Sequence, residues 1–209
     1  MPEIIDNLSQ LFVMLLGCIF SGIFYLKDRR QPYFILFCFY GCFALAGLYW
    51  LLYAILITDT SPIFYVSDIG WIAGFLFLLL LQDSLTLTEE RSFQCRSMWL
   101  APLTVVPLTI YYMSIGNAVY NLVTGCMMLL FLRRSLRGFI FWKQQPGQNR
   151  KQIFFHLTAI IFVILENCLW LSSYPWLGDG WTNPYFWIDF AVTATLFSFL
   201  ISVKKAVNP

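Results

Sequence analysis

Three carboxylates, Asp68, Glu166 and Asp189, lie inside otherwise apolar stretches, and no lysine or arginine lies in those stretches to pair with them. A charged carboxylate at the centre of a lipid-facing helix costs on the order of 2.5–3.5 kcal/mol on insertion, more than one apolar residue recovers. The three are therefore expected to face an interior. Their helical neighbours share that face: Phe162, Glu166, Trp170 and Ser173 recur at spacings of three and four, as do Tyr65, Asp68 and Trp71, and Tyr185, Asp189 and Thr193. Tyr49, Trp50, Asn117 and Asn121 fall at similar depth, and Asn167 adjoins Glu166. Carboxylates walled by aromatic rings hold an organic cation by charge pairing and cation–π attraction. The expected ligand-binding set is Glu166 as principal anchor, Asp68 and Asp189 as further acids, Asn167 beside them, and Tyr65, Trp71, Trp170 and Trp187 as walls. The competing reading is structural: a protonated carboxyl can donate a hydrogen bond to a neighbouring helix and do nothing else.

These residues belong to seven apolar segments: Leu8 to Leu26, Tyr33 to Ile57, Pro62 to Leu81, Met98 to Ile115, Asn117 to Leu132, Ile153 to Trp176 and Tyr185 to Val203. Each is near the ~20 residues a helix needs to cross the hydrocarbon core. All thirteen Lys and Arg residues fall on one side of them: Lys27, Arg29 and Arg30; Arg91 and Arg96; Arg133, Arg134, Arg137, Lys143, Arg150 and Lys151; Lys204 and Lys205. The remaining connections carry no basic residue. Because positive charge stays in the cytoplasm during insertion, the amino terminus is expected outside and the carboxyl terminus inside. At 1.5 Å per residue, counted from Pro62, Pro184 and Pro175, Asp68 and Asp189 sit roughly 8–9 Å, and Glu166 roughly 13 Å, below the outer boundary.

The fold class expected is all-α: a single polytopic domain of seven transmembrane helices, multi-pass in the cell membrane. A chain 59% hydrophobic, 19% aromatic and 11% charged is not a soluble globular domain. Its 209 residues leave no room for a soluble catalytic or nucleic-acid-binding domain. The expected partners are the bilayer, a small-molecule ligand and a cytoplasmic signalling protein, with no nucleic acid. Glu3 and Asp6 precede the first segment, which lacks a basic start and a small-residue cleavage site, so it reads as a retained helix. Trp50 precedes Asp59 as Trp170 precedes Asp179, each aspartate leading through a proline into the next helix, which suggests two parallel three-helix units joined by a linker helix.

Elsewhere the chemistry is sparse. Of the six cysteines, Cys18, Cys38, Cys42, Cys126 and Cys168 are intramembrane and Cys95 is in a loop; none has metal-ligand company, and no cofactor is expected. His156 reads as an interfacial or packing residue. Gln82 and Asp83 read as the boundary of the third helix, Gln82 to Ser97 as a solvated loop, Gln144 to Lys151 as a turn, and Trp142 as an interfacial anchor. Pro102 and Pro107 should make the fourth helix kinked or irregular. A retinal protein needs a lysine within its seventh helix, and there is none before Lys204; zinc hydrolysis needs more ligands than one histidine. No enzymatic activity is expected.

The stretch Ser67-Asp68-Ile69-Gly70-Trp71-Ile72-Ala73-Gly74-Phe75, with a second acid early in the last helix, resembles the seven-helix membrane sensor modules of bacterial signalling proteins, which typically precede diguanylate cyclase or histidine kinase domains. The resemblance implies an outer amino terminus and ligand sensing in the outer half of the membrane. The chain departs from that pattern by ending at Pro209 without an output domain, so a sensor of this kind would act through a separate cytoplasmic partner. Two alternatives stand beside it: a small transporter of 3+1+3 plan, proton- or cation-coupled, and a membrane scaffold or assembly subunit. The inner halves, Phe75 to Leu81 and Leu196 to Ile201, offer few polar groups for a transport path, which favours a one-sided pocket.

Overall fold

The computed structural model describes residues 2–56, 66–145, 150–173 and 180–207. Every regular element among them is helical: α1 Pro2–Asp28, α2 Gln31–Leu56, α3 Val66–Leu85, a short α4 Thr88–Ser92, a 3-10 turn Arg96–Trp99, α5 Leu100–Ile115, α6 Ala118–Gln144, α7 Arg150–Ser173 and α8 Pro184–Val207. Six helices are long and apolar enough to cross a membrane, namely α1, α2, α3, α5 with its preceding turn, α7 and α8, which suggests a membrane protein. The long helix outside that set is α6, whose apolar part gives way to Arg133, Arg134 and Arg137.

The pattern on α1 shows why the fold takes this form. Phe12, Leu15, Ile19, Ile23 and Leu26 recur at helical spacing and are exposed, while Asp6, Met14, Gly17 and Ser21 on the other face are buried. A helix that buries its small and polar stripe and exposes its large apolar one is suited to lipid rather than water. Local signals set the ends. Proline opens α1 and α8, where its missing N–H has no helical partner anyway. Asn117 caps α6, its side chain accepting from Val119 N at 3.1 Å and Tyr120 N at 3.2 Å. The α1–α2 hairpin turns through Arg29 in left-handed backbone (φ 53°).

Helix contacts run in a circuit, α1 to α2 to α3, across to α6, then α7, α8 and back to α1; α5 packs on α6 and lies outside the circuit. The circuit is filled in its middle by phenylalanine. Phe39, Phe43, Phe75, Phe131, Phe162 and Phe199 are all buried, with successive ring centroids 5.0 Å (Phe39–Phe43), 6.1 Å (Phe43–Phe75), 5.8 Å (Phe75–Phe162) and 5.7 Å (Phe162–Phe199) apart. Gly74 makes this possible on α3, because a Cβ there would overlap the Phe43 ring. Tyr40 crosses the same layer to donate to Leu196 O at 2.7 Å, joining α2 to α8.

Several boundaries differ from those the sequence pattern predicts. Helix α1 begins at Pro2, so Glu3 and Asp6 are on it rather than before it. Helix α3 runs on to Leu85, and Gln82 is fully buried, donating to Ser135 Oγ at 2.7 Å and to Phe131 O at 3.3 Å. Helix α6 continues past Leu132 to Gln144, since nothing between Arg133 and Gln144 breaks a helix. Helix α5 continues through Pro107, and Pro102 lies in its first turn. The residues Ile57 to Tyr65, Tyr174 to Asp179 and the middle four of the Gln144 to Lys151 turn lie outside the described residues, and with them Tyr65 and the repeated aspartates Asp59 and Asp179.

The segment Gln82 to Ser97 is not simply a solvated loop. Helix α4 and the 3-10 turn fall within it, and its Glu90 is fully buried: Glu90 Oε1 lies 3.5 Å from His156 Nε2, and Trp142 Nε1 donates to Glu90 Oε2 at 3.1 Å. Trp142, read from sequence as an interfacial anchor, is instead a buried partner of this carboxylate. The three side chains clasp α4, α6 and α7 together at the end of the bundle where the basic residues collect.

Candidate functional site

The opposite end of the bundle holds a cavity of about 470 Å³. Asp68 at the start of α3, Glu166 near the end of α7 and Asp189 near the start of α8 all line it, each buried. The antiparallel alternation of the helices is what assembles them: residues early in one helix and late in the next meet at the same level. Trp71, one turn beyond Asp68, and Trp170, one turn beyond Glu166, also line it, as does Trp50 from the end of α2. Two other expected residues, Asn167 and Trp187, are not in the lining. The Asn167 amide donates to Val163 O at 2.7 Å and approaches Sδ of the lining residue Met128 at 3.9 Å. Trp187 is 61% exposed and donates through Nε1 to Trp181 O at 2.9 Å. Tyr65 is among the residues not described.

The first helix adds a side of the cavity that the sequence pattern did not indicate. Glu3, Asp6, Asn7 and Gln10 of α1 line it. Asp6 is buried and hydrogen-bonded with Asp189, and Gln10 Nε2 donates to Asp189 Oδ1 at 3.1 Å. The signal was present as periodicity: Glu3, Asn7 and Gln10, with Asp6 between, make one polar stripe at three- and four-residue spacing. It was hidden because an apolar window begins only at Leu8.

Around these acids the aromatic groups are arranged in contact. The Trp170 indole bonds the Glu166 side chain, and its ring lies 6.1 Å from Tyr120 and 6.3 Å from Tyr112. The rings of Trp50 and Trp71 are 6.2 Å apart. Tyr120 lies within the fields of Asp68 and Glu166, and Tyr185 within those of Asp189, Asp6 and Glu166. The floor is Phe43, Phe75 and Met128, the upper surface of the phenylalanine layer.

No protein-family model, curated protein or solved structure matches the chain. The chemistry of the site therefore rests on its own residues. Five carboxyl groups line one cavity, and none of its lining residues is a lysine or arginine. Asp6 and Asp189 are neighbours among them, and this concentration of acids calls for either protons or a cation. Among the described residues there is no cluster of His, Cys, Asp and Glu with the arrangement of a metal site.

Proposed function

We propose that this chain is a seven-span protein of the cell membrane, amino terminus outside, that binds a small organic cation in its acidic, aromatic-walled cavity from the outer side, as a receptor or sensor. The observation that carries this reading is the composition of one cavity: Asp6, Asp68, Glu166 and Asp189 buried together, Trp50, Trp71 and Trp170 around them, and no basic side chain in the lining. A ligand ammonium or guanidinium would supply the missing charge, and the ring faces would hold it by cation–π attraction. Glu166 is the anchor best placed, being bonded by a tryptophan of the same wall. The phenylalanine layer below favours binding over passage, since a solute leaving the cavity towards the basic end meets only packed rings. A sensor of this form passes its state to a cytoplasmic partner.

A second reading, a small transporter of 3+1+3 plan, is supported by the helix circuit. Helices α1 to α3 and α6 to α8 form it, while α5 stands outside as a linker would.

The test is thermal stability of the purified protein against a library of amines, amino acids and aromatic metabolites, alongside Glu166→Gln. A ligand at 100 times its dissociation constant stabilises the folded state by about 2.7 kcal/mol. Stabilisation lost in Glu166→Gln is the expected result. An absence of any hit, with the variant as stable as the parent, would make the acids structural and overturn both readings. Uptake of the labelled hit into proteoliposomes would decide for the transporter.

A further inference from the structure

A second cavity, about 300 Å³, opens at the basic end, between α4, the 3-10 turn, the start of α5 and the lower part of α6. Arg91, Arg133 and Arg137 line it together with Phe93, Trp99 and Pro102, and no lining residue is acidic. Two of the arginines are held in place by other groups. Arg91 pairs with Asp83 Oδ2 at 3.1 Å, and Arg137 donates through one terminal nitrogen to Arg91 O at 3.0 Å. That leaves donors uncommitted. Arg137 Nε is buried without an acceptor, and Arg133 is exposed with no acidic partner among the described residues. Arg137 also feels the like charges of Arg91, Arg133 and Arg134, with the buried Glu90 the opposing one. Converging guanidinium groups with an orphaned N–H are the chemistry that receives a phosphate, through paired, charge-assisted hydrogen bonds.

The surface leading away from this cavity says what carries the phosphate. Trp99, Leu103, Val106 and Ile110 recur at three- and four-residue spacing from the rim of the cavity up α5, and all are exposed, Trp99 at 75% and Leu103 at 70%. Helix α5 stands outside the helix circuit, and among the described residues its outer face is exposed. An apolar stripe that begins at a basic pocket fits a molecule with an anionic head and long apolar tails. We propose that this pocket is a specific site for an anionic phospholipid, with its phosphate on Arg133 and Arg137 and an acyl chain along Trp99, Leu103 and Ile110. Basic pockets between helices at the cytoplasmic side of membrane proteins recognise phosphate-bearing headgroups in this way.

The experiment is native mass spectrometry of the full chain released from nanodiscs of phosphatidylcholine containing a minor share of phosphatidylglycerol. The parent, Arg133→Gln, Arg137→Gln and Leu103→Ser would be compared. The parent is expected to retain phosphatidylglycerol over phosphatidylcholine, and Arg133→Gln to lower that retention about fivefold, one arginine's worth of attraction to an anionic lipid. Leu103→Ser should lower it as well, because it weakens the tail contact. Leu103 is exposed and Arg133 has no acidic partner among the described residues, so these two variants report on the site even if Arg137→Gln does not fold. Equal retention in the parent and Arg133→Gln would overturn the site. Thermal stabilisation of the parent by inorganic phosphate, undiminished in Leu103→Ser and without phosphatidylglycerol retention, would overturn the lipid as its occupant in favour of a soluble anion.

Discussion

Gln10 Nε2 donates to Asp189 Oδ1 at 3.1 Å, tying the first helix to the last inside the lining of the acidic cavity. The same aspartate is hydrogen-bonded with Asp6, so two residues of α1 reach one residue of α8. The contact closes the helix circuit at its acidic end. At the other end Arg30, just before α2, reaches Val207 O, and Lys204 lies over the Phe24 ring at 4.9 Å.

A double-mutant cycle on this contact should be non-additive. Gln10→Ala and Asp189→Asn, alone and together, are expected to show a coupling of roughly 0.5–3 kcal/mol in unfolding by mixed micelles. Strict additivity would mean that the hydrogen bond contributes nothing.

The tryptophans of the acidic end should divide into two kinds. Once a cationic ligand is in hand, Trp170→Leu removes a ring bonded to Glu166 and should weaken binding by the ~0.5–2 kcal/mol of a cation–π contact, roughly 2- to 30-fold. Trp187→Leu, on an exposed side chain away from the cavity, should leave the dissociation constant where it was. Isothermal titration of both variants distinguishes a cation site from a belt of interfacial rings.

The clasp at the basic end makes a stability prediction independent of any ligand. Trp142→Phe keeps an aromatic ring, though a smaller one, and deletes the N–H on Glu90, leaving a buried acceptor unmet, at a cost of about 1–3 kcal/mol. Gly138→Ala places a Cβ into the His156 imidazole and the Glu90 carboxylate, an overpacking worth about 1–3 kcal/mol. Unfolding followed by intrinsic fluorescence or circular dichroism measures both. A fully stable Gly138→Ala would show that α4 need not sit where the clasp holds it.

Orientation is open to direct labelling. All six cysteines are free. In a background with the native cysteines replaced, Glu3→Cys at the exposed rim of the acidic end should react with an impermeant maleimide in intact cells. Cys95, restored alone beside the basic pocket, should react only after permeabilisation. The reverse pattern would invert the bundle and place the acidic cavity in the cytoplasm.

Much of this arrangement was legible in the residue pattern, and the misses have physical causes. The apolar segments found their helices, and carboxylates without cations in apolar helices converged on one cavity, because a polar interior costs them less than lipid does. Trp187 was a matter of phase: two residues from Asp189 is about 200° of helical turn, so the two cannot share a face. Asn167 is one residue from Glu166, about 100° round, and satisfies its amide on its own helix. The end of α6 was misplaced because Arg133 marks where hydrocarbon ends, not where a helix must. The burial of Glu90 was not legible at all. Its partners, His156 and Trp142, come from distant parts of the chain, and a charged residue among Thr88, Glu89 and Arg91 looks like any solvated turn.

The phenylalanine layer has an electrical consequence. In a bilayer, most of a transmembrane voltage drops across the driest, least polarisable slab, and in the proposed topology that slab would be the ring-filled middle of the bundle. In the proposed binding mode a cation on Glu166 would have crossed little of the field above this slab, whereas one carried through would gain or lose about 2.3 kcal/mol per 100 mV. Occupancy of the acidic cavity should therefore be nearly indifferent to membrane voltage, and a steep voltage dependence would mean that the rings part.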